Sequence, residues 1–390
     1  MSHRYRPTVV EIDLEALRHN FQQAKLLIHP KSEVLGVVKA NAYGHGDSEV
    51  AATLADEGID YLGVAIIEEA EQLREEGIKT PIVVLTGIEP SQFRDVIKNN
   101  VIPVMWQPDN IEVFHQYLER NDLTSPIYIK VDTGMHRLGI TFDQFPKLCR
   151  SLKEKSRFEL KCLMTHLAIS EKPDSSLTQS QLSLFAEAIE IAREHNLNFQ
   201  SFAFGNSGAV IHKIPSSFAK PEKMLVRPGI MLYGSYPSPE MRSQVSLKPV
   251  MHYKTGIIGI KRVKKGESVG YGGTYRAPTD ISMGILPVGY ADGYNRLLSN
   301  KAEVLVGGRR VPVIGNVSMD LTTVDLSGVP DAKIGDEVVL FGTQGDEWVS
   351  AWELAQLCGT ISYEVFCSVS PRVPRIYRDI SDFSHSRRGK

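Results

Sequence analysis

Eight short apolar runs in the first 230 residues, most of them separated by an amphipathic segment, constrain this chain more than any other feature. The runs are VLGVVK, YLGVA, PIVVLTG, IPVMW, PIYIKVD, LKCLMTHLA, QSFAFGN and MLVRP. Between them, SEVAATLADEG, EEAEQLREEG, PSQFRDVIKNN, NIEVFHQYLERN and QLSLFAEAIEIAREHN place apolar residues near a 3.6-residue period, with Gly or Asn closing them. Strand-sized runs alternating with helices call for a parallel sheet with both faces covered, and eight such units predict a (β/α)8 TIM-type barrel, an α/β fold. Spacing alone leaves an open doubly wound sheet available, but VLGVVKANAYGHG lacks the dinucleotide fingerprint of a first strand there.

Past about residue 240 the pattern turns to β-type runs with turn signals, YKTGIIGIKRVKKGESVGYGG, MGILPVGYADG, AEVLVGGRRVPVIGNVSMDLTTVDL and DEVVLFG, then one short helical stretch, SAWELAQLCG. The chain has 390 residues, more than one core usually serves. Two domains are therefore expected, a barrel over 1–240 and a mostly β domain over 241–390, with VSLKPVMHYK as the linker. A formal charge of −2 without a long basic run argues against nucleic acid and anionic membrane as partners. The basic end HSRRGK reads as a solvated tail. MSHRYRPTVVEID lacks the apolar core of a signal peptide and no run is long enough to cross a bilayer, so a cytoplasmic protein is expected. Cys149, Cys162, Cys358 and Cys367 are scattered without metal-ligand spacing and read as buried thiols.

Barrels carry their chemistry where the strands end on the C-terminal side. That rule selects Lys39 and Tyr43 at and after the first run, Lys130 and Arg137 at the fifth, His166 at the sixth, Asn206 and Ser207 after the seventh, and Arg227 at the eighth. A lysine closing a buried strand loses hydration, which favours a neutral amine able to attack a carbonyl; its plainer reading is a rim lysine reaching back to water. In VRPGIMLYG the Gly229 and Ile230 amides would face an anion if a short helix starts there, with the Ser207 hydroxyl opposite, where barrels commonly bind phosphate. His166 has no second ligand at metal spacing, so a hydrogen-bonding role is expected and no metal. GYGGTY around Tyr271 looks like a nucleotide loop but opens no helix.

Taken together, VVKANAYGHG with Lys39, KVDTGMHRLG with Arg137, VRPGIMLYG with Arg227, VGYGGTY with Tyr271, PVGYADG with Tyr290, NVSMD with Met319 and Asp320, and ISYEV with Tyr363 resemble the alanine racemase family nearly end to end. The resemblance implies pyridoxal 5'-phosphate held on Lys39 as an aldimine. It also implies phosphate contacts from Tyr43, Ser207, the Gly229 and Ile230 amides and Tyr363, Asn206 within the same cofactor site, and Leu85 packed on the ring. His166 and Arg227 would form a hydrogen-bonded chain near that ring. Lys39 and Tyr271 would handle protons on opposite faces of the α-carbon, interconverting L- and D-alanine, with the D-alanine destined for cell-wall peptidoglycan. Arg137 and the Met319 amide would hold the substrate carboxylate, with Asp320 and Tyr290 beside them, and a carbamate on Lys130 would orient Arg137. A homodimer with shared active sites is implied as well.

Two positions depart from the family pattern: Asn316, where arginine is common, and Glu171, where aspartate is usual. Both bear on the electrostatics of the substrate channel, while Tyr290, Tyr363, Ile361 and Arg296 match a narrow entrance. A racemase of serine or another small amino acid stays open at this level. A barrel-type decarboxylase would want an acidic partner for the ring nitrogen where this chain has Arg227, and a non-catalytic pyridoxal-phosphate carrier would lack residues 240–390.

Overall fold

The computed structural model describes residues 6–214 and 223–379. After a first strand, β1 (Val9–Asp13), the eight apolar runs become β2 (Glu33–Val37), β3 (Tyr61–Val64), β4 (Ile82–Val84), β5 (Val101–Met105), β6 (Ser125–Lys130), β7 (Phe158–Met164), β8 (Ser201–Ala203) and β9 (Leu225–Val226). They pair in the order β8-β7-β6-β5-β4-β3-β2-β9, all in parallel. Parallel bridges Phe202 to Met224 and Asn206 to Arg227 join the two ends of that order and close the barrel. Strands such as β4 and β5 are buried at every residue, which is why they read as unbroken apolar runs rather than alternating ones.

The intervening helices follow the helical period. Pro108–Arg120 buries Ile111, Phe114, His115 and Leu118, and Ser176–Glu194 starts at Ser175, whose hydroxyl accepts from the Thr178 amide at 3.2 Å. Among the described residues no helix is long and apolar enough to cross a membrane.

The second unit is built from β10 (Met251–Gly256), β11 (Gly259–Val263), β12 (Ser268–Val269), β13 (Tyr275–Arg276), β14 (Ile281–Leu286), β15 (Glu303–Val306), β16 (Arg309–Pro312), β17 (Thr322–Asp325), β18 (Glu337–Gln344), β19 (Glu347–Val349) and β20 (Arg375–Arg378). Its main sheet runs β16-β15-β18-β10-β1-β20, with β19 on β18. A smaller sheet, β11-β14-β17, and the β12-β13 hairpin enclose a core of Val263, Val269, Ala277, Ile281, Met283 and Ile314.

This arrangement corrects the expected boundary. One compact unit is Leu17–Ala42 with Asp47–Lys248; the other is Tyr43–Gly46 with the described residues up to Ala16 and from Pro249 on. The N-terminal stretch joins the β-rich unit because β1 is an interior strand there. Val10 pairs antiparallel with Tyr253 on β10 and parallel with Arg375 on β20, and Val10 and Ile12 are fully buried. Two further readings change. A second helix, Ser362–Ser368, follows Ala351–Cys358. Cys149 and Cys162 are buried, their thiols pushed up to about 12 by desolvation, but Cys358 is half-buried and Cys367 exposed. The HSRRGK end lies outside the described residues.

Candidate active site

The backbone at Lys39 departs from what its residue types favour. Strand β2 stops at Val37, and Lys39 opens a turn in which Ala40, Asn41, Ala42 and Tyr43 all have φ between 50° and 54°. Left-handed conformation costs a non-glycine residue about 1–2 kcal/mol, so four in succession need holding. Inside the turn, the Ala42 amide donates to the Val38 carbonyl at 2.8 Å. From outside, the Glu69 carboxylate accepts the Ala40 amide at 2.6 Å, and the Asn41 side chain accepts the Asp47 amide at 3.0 Å. Ahead of the turn, the buried Tyr233 hydroxyl donates to the Val37 carbonyl at 2.8 Å.

The barrel brings a set of cations to the same rim. Lys130 closes β6, buried, and its amine is pushed down to about 8 by burial and then by Arg227, Arg137 and Lys39, with Asp132 acting in the opposite direction. Arg227 follows β9, and its own amide donates to the Gly205 carbonyl at 2.7 Å. Its Nη2 donates to the Thr165 carbonyl at 2.8 Å and lies 3.2 Å from His166 Nδ1. Because a guanidinium only donates, Nδ1 must accept, which leaves the ring proton on Nε2. Desolvation, Arg227, Lys130, Arg137 and Lys39 hold His166 well below the usual histidine range, so it is neutral near pH 7. Burial lowers Arg227 to about 10, still charged near neutrality, and its Nη1 is buried without a hydrogen-bond partner. A fully desolvated donor with nothing to donate to is costly, and an incoming acceptor would satisfy it.

Asn206 and Ser207 sit at the start of a short helix, Ser207–Ile211, whose Ala209 amide donates to Asn206 Oδ1 at 3.2 Å. A short 3-10 helix does begin at Ile230. The Gly229 amide, expected to face an anion, instead donates to Ser207 Oγ at 2.9 Å. Arg137 is exposed on a loop leaving β6. That loop closes where the Asp132 amide donates to the Ile140 carbonyl at 2.9 Å and the Ile140 amide to the Lys130 carbonyl at 2.8 Å. Asp132 Oδ1 gathers the amides of Gly134, Met135 and His136. Burial raises the Asp132 carboxyl, but these three donors outweigh it and hold the group below its usual range. Leu85 continues from β4, half-buried, its amide on the Val64 carbonyl at 2.9 Å.

In the β-rich unit the glycines of GYGGTY explain themselves. Strands β12 and β13 pair as a hairpin, and Gly270, Gly272 and Gly273 supply the positive φ its tip requires. The tip presents Tyr271, 77% exposed. Asn316 donates from Nδ2 to the Tyr271 carbonyl at 2.8 Å, so the departure from arginine here braces the hairpin. Tyr271, Tyr290, Arg296, Asn316, Met319 and Asp320 are among the residues lining a concavity of about 500 Å³. The Tyr290 and Ala291 amides donate to the Ser318 and Met319 carbonyls, both at 3.0 Å, which ties the two loops together. Asp320, grouped with the substrate contacts on sequence grounds, is paired with Arg372 at 2.8 Å. Ile361, just ahead of the Ser362–Ser368 helix, is exposed. On that helix the Tyr363 ring lies 5.7 Å from that of Tyr43, whose phenol is driven up by burial, Tyr363 and Cys367. Glu171 is half-buried on the barrel unit and accepts through its carbonyl from His212 Nε2 at 3.2 Å.

Sequence reasoning missed Glu69 and Gln181. The fully buried Gln181 donates to the His166 carbonyl at 3.0 Å and accepts the Ala168 amide at 2.9 Å, fixing the segment that carries the histidine. A polar residue on the buried face of QLSLFAEAIEIAREHN was the available signal for it. Glu69 stands in the acid-rich EEAEQLREEG, where nothing marks it out. Among the described residues no three of His, Cys, Asp and Glu cluster as metal ligands.

The family models described as "Alanine racemase, N-terminal domain" and "Alanine racemase, C-terminal domain" match residues 12–237 and 250–377. An alanine racemase of Halothermothrix orenii is 39% identical over 374 residues, 96% of this chain and 97% of its own length. One of Syntrophobacter fumaroxidans is 41% identical over 360 residues, 92% and 94% of the two chains. Among solved structures, the biosynthetic alanine racemase of Pseudomonas aeruginosa superposes with a TM-score of 0.84 at 36% identity over 96% of this chain and 99% of its own. That of Bacillus anthracis with bound L-Ala-P gives 0.87 at 34% identity over 97% and 96%.

Proposed function

The chain belongs to the alanine racemase family and interconverts L- and D-alanine; we propose that it does so with pyridoxal 5'-phosphate at the barrel rim and with Lys39 and Tyr271 as its two proton-handling groups. The observation that carries this reading is Arg227, whose buried Nη1 lacks an acceptor amid Lys130, Arg137 and Lys39. A ligand offering a ring-nitrogen acceptor and a dianionic phosphate fits that donor and that charge. Lys39 would hold the cofactor covalently. Tyr43, Ser207, the Ile230 amide and Tyr363 would hold its phosphate, the Gly229 amide bracing Ser207 and Asn206 standing beside it, and Leu85 would pack against its ring. When bound, it supplies an electron sink that acidifies the α-hydrogen of the attached amino acid.

The chain's own residues do the rest. Arg227 would donate a hydrogen bond to the ring nitrogen without surrendering a proton, which would temper electron withdrawal and favour return of the proton to the α-carbon. Lys39 removes or returns that proton on one face and Tyr271 on the other. Arg137 and the Met319 amide bind the carboxylate, with Tyr290 and the Arg372-paired Asp320 beside them, and Tyr290, Tyr363, Ile361 and Arg296 restrict the side chain to about the size of a methyl group. As the family implies, the product serves peptidoglycan synthesis and the enzyme works in the cytoplasm.

Tyr271 stands exposed at a hairpin tip, beside Tyr290, Met319 and Leu321, which are also exposed. This half-site supports a homodimer in which the β-rich unit of one copy serves the barrel of the other. Lys39→Ala and Tyr271→Phe proteins, each inactive, are refolded together: random two-fold pairing should restore roughly a quarter of wild-type sites. An inactive mixture whose subunits demonstrably exchange would place both residues of each site in one chain.

A further inference from the structure

We propose that Glu69 is a positioning residue for Lys39, holding the strained turn that aims the lysine; the proposal rests on the role given to Lys39 above. Glu69 stands at the third position of the helix Ile67–Glu75. A carboxylate there ordinarily serves its own helix, and Oε2 does so, accepting the Ala65 amide at 2.7 Å and lying 3.5 Å from the Ile66 amide. Oε1 reaches instead into the neighbouring loop and accepts the Ala40 amide at 2.6 Å. One carboxylate thus ties together the loops that follow β2 and β3.

The tied amide is the one immediately after Lys39. Ala40 begins a run of positive φ that its own residue types oppose, so without an external acceptor the segment would relax towards ordinary backbone and turn the Lys39 side chain elsewhere. A second strap, from Asn41 to the Asp47 amide, attaches one residue further on. A neutral amide in place of Glu69 cannot replace the contact pair: Gln has one carbonyl oxygen, and its NH2 would face an N–H.

The test compares Glu69→Gln and Glu69→Ala with Glu68→Ala, an exposed acid one residue earlier on the same helix. Hydrogen exchange of the peptide spanning Ala40 should accelerate about 10- to 10²-fold in both Glu69 variants, as when a hydrogen bond to a charged group is lost, and stay unchanged in Glu68→Ala. Turnover should fall by up to about 10²-fold with KM for alanine nearly constant, since a misplaced group is lost from the reaction rather than from binding. Borohydride reduction of the loaded protein should still label Lys39, at a reduced rate. Unchanged exchange at Ala40 with Lys39 labelled normally would overturn this proposal alone, as would losses confined to thermal stability. Label on a different lysine in the wild type would overturn the role of Lys39 and this proposal with it.

Discussion

Two glycines in the Arg137 loop allow a methyl group to be added to nearly the same backbone in two different surroundings. Gly134 has φ +130° and Gly139 φ +137°, both closed to ordinary side chains. A Cβ at Gly134 would meet only Gln181 Cγ at 3.5 Å and Leu177 Cδ1 at 3.6 Å, normal contacts. At Gly139 it would lie 2.4 Å from the Asp132 nitrogen and 2.7 Å from the Val131 carbonyl carbon, backbone atoms that cannot swing aside. Gly134→Ala should therefore cost only the conformational strain, ~1–3 kcal/mol. Gly139→Ala carries the same strain and must also part the bonds joining Ile140 to Lys130 and Asp132, each worth ~1 kcal/mol. The expected extra loss is about 2 kcal/mol, a further drop in Tm of roughly 4–8 °C for a unit of this size. Since the loop carries Arg137, KM for alanine should also rise at least about tenfold in Gly139→Ala, the loss expected when a charged contact to the carboxylate goes. Differential scanning fluorimetry and steady-state kinetics on both variants decide the matter. Equal Tm and equal KM in the two would refute the argument from close backbone approach.

Three further outcomes can be checked. Tyr271→Phe should leave Tm unchanged, because the ring is exposed, while slowing racemisation by about 10²- to 10⁴-fold; solvent-deuterium exchange should fall unequally from D- and L-alanine, and equal residual exchange would assign the second proton carrier elsewhere. Lys130 is held near 8 against an ordinary 10.5, so the unfolded chain binds more protons between those values and stability from this group rises with pH across that window. Lys130→Met should accordingly be more stable than wild type near pH 7, the gap narrowing towards pH 10.5. Bicarbonate should raise the wild-type Tm alone, through a carbamate facing Arg227 and Arg137; an equal rise in Lys130→Met would dismiss that carbamate. Asp292, fully buried, takes the partly exposed Arg6 at 2.7 Å and the Gly289 amide at 3.1 Å, and Asp292→Ala should cost about 1–3 kcal/mol through the lost charged hydrogen bond and the unsatisfied amide, with denaturant midpoints as the measure.

The barrel was legible because β4, β5, β8 and β9 are buried at every residue, the other barrel strands are buried over most or the last part of their length, and the helices keep an apolar face, so period and length mark them. The strand ends were legible, Lys130 closing β6 and His166 and Arg227 lying just past β7 and β9, while the roles proposed for them and for the remaining motifs rest on the family resemblance. Other features had no local signal. VVEID is too short to assign by itself, since its strand character comes from pairing with residues near 253 and 375. SYEVFCS is rich in aromatic and β-branched residues, and tertiary packing of Phe366 imposes helix on it. KANAY holds no glycine, so no glycine signal announces a left-handed turn; its anchors are Asp47, close by in the chain, and Glu69, which is distant in sequence.

The position of β1 has a consequence for how the chain is made. Val10 is made several hundred residues ahead of one of its strand partners, Arg375. At ordinary elongation rates the strand waits on the order of half a minute for β20, its other edge able to pair once β10 is made, while the barrel can complete itself from contacts nearer in sequence. During that interval β1 is the chain's exposed adhesive edge, and chaperone capture is expected to concentrate there. Trimming either terminus would then have a shared effect: loss of Val9–Asp13 leaves β10 and β20 facing a gap, and loss of Arg375–Arg378 leaves β1 with one edge open for good.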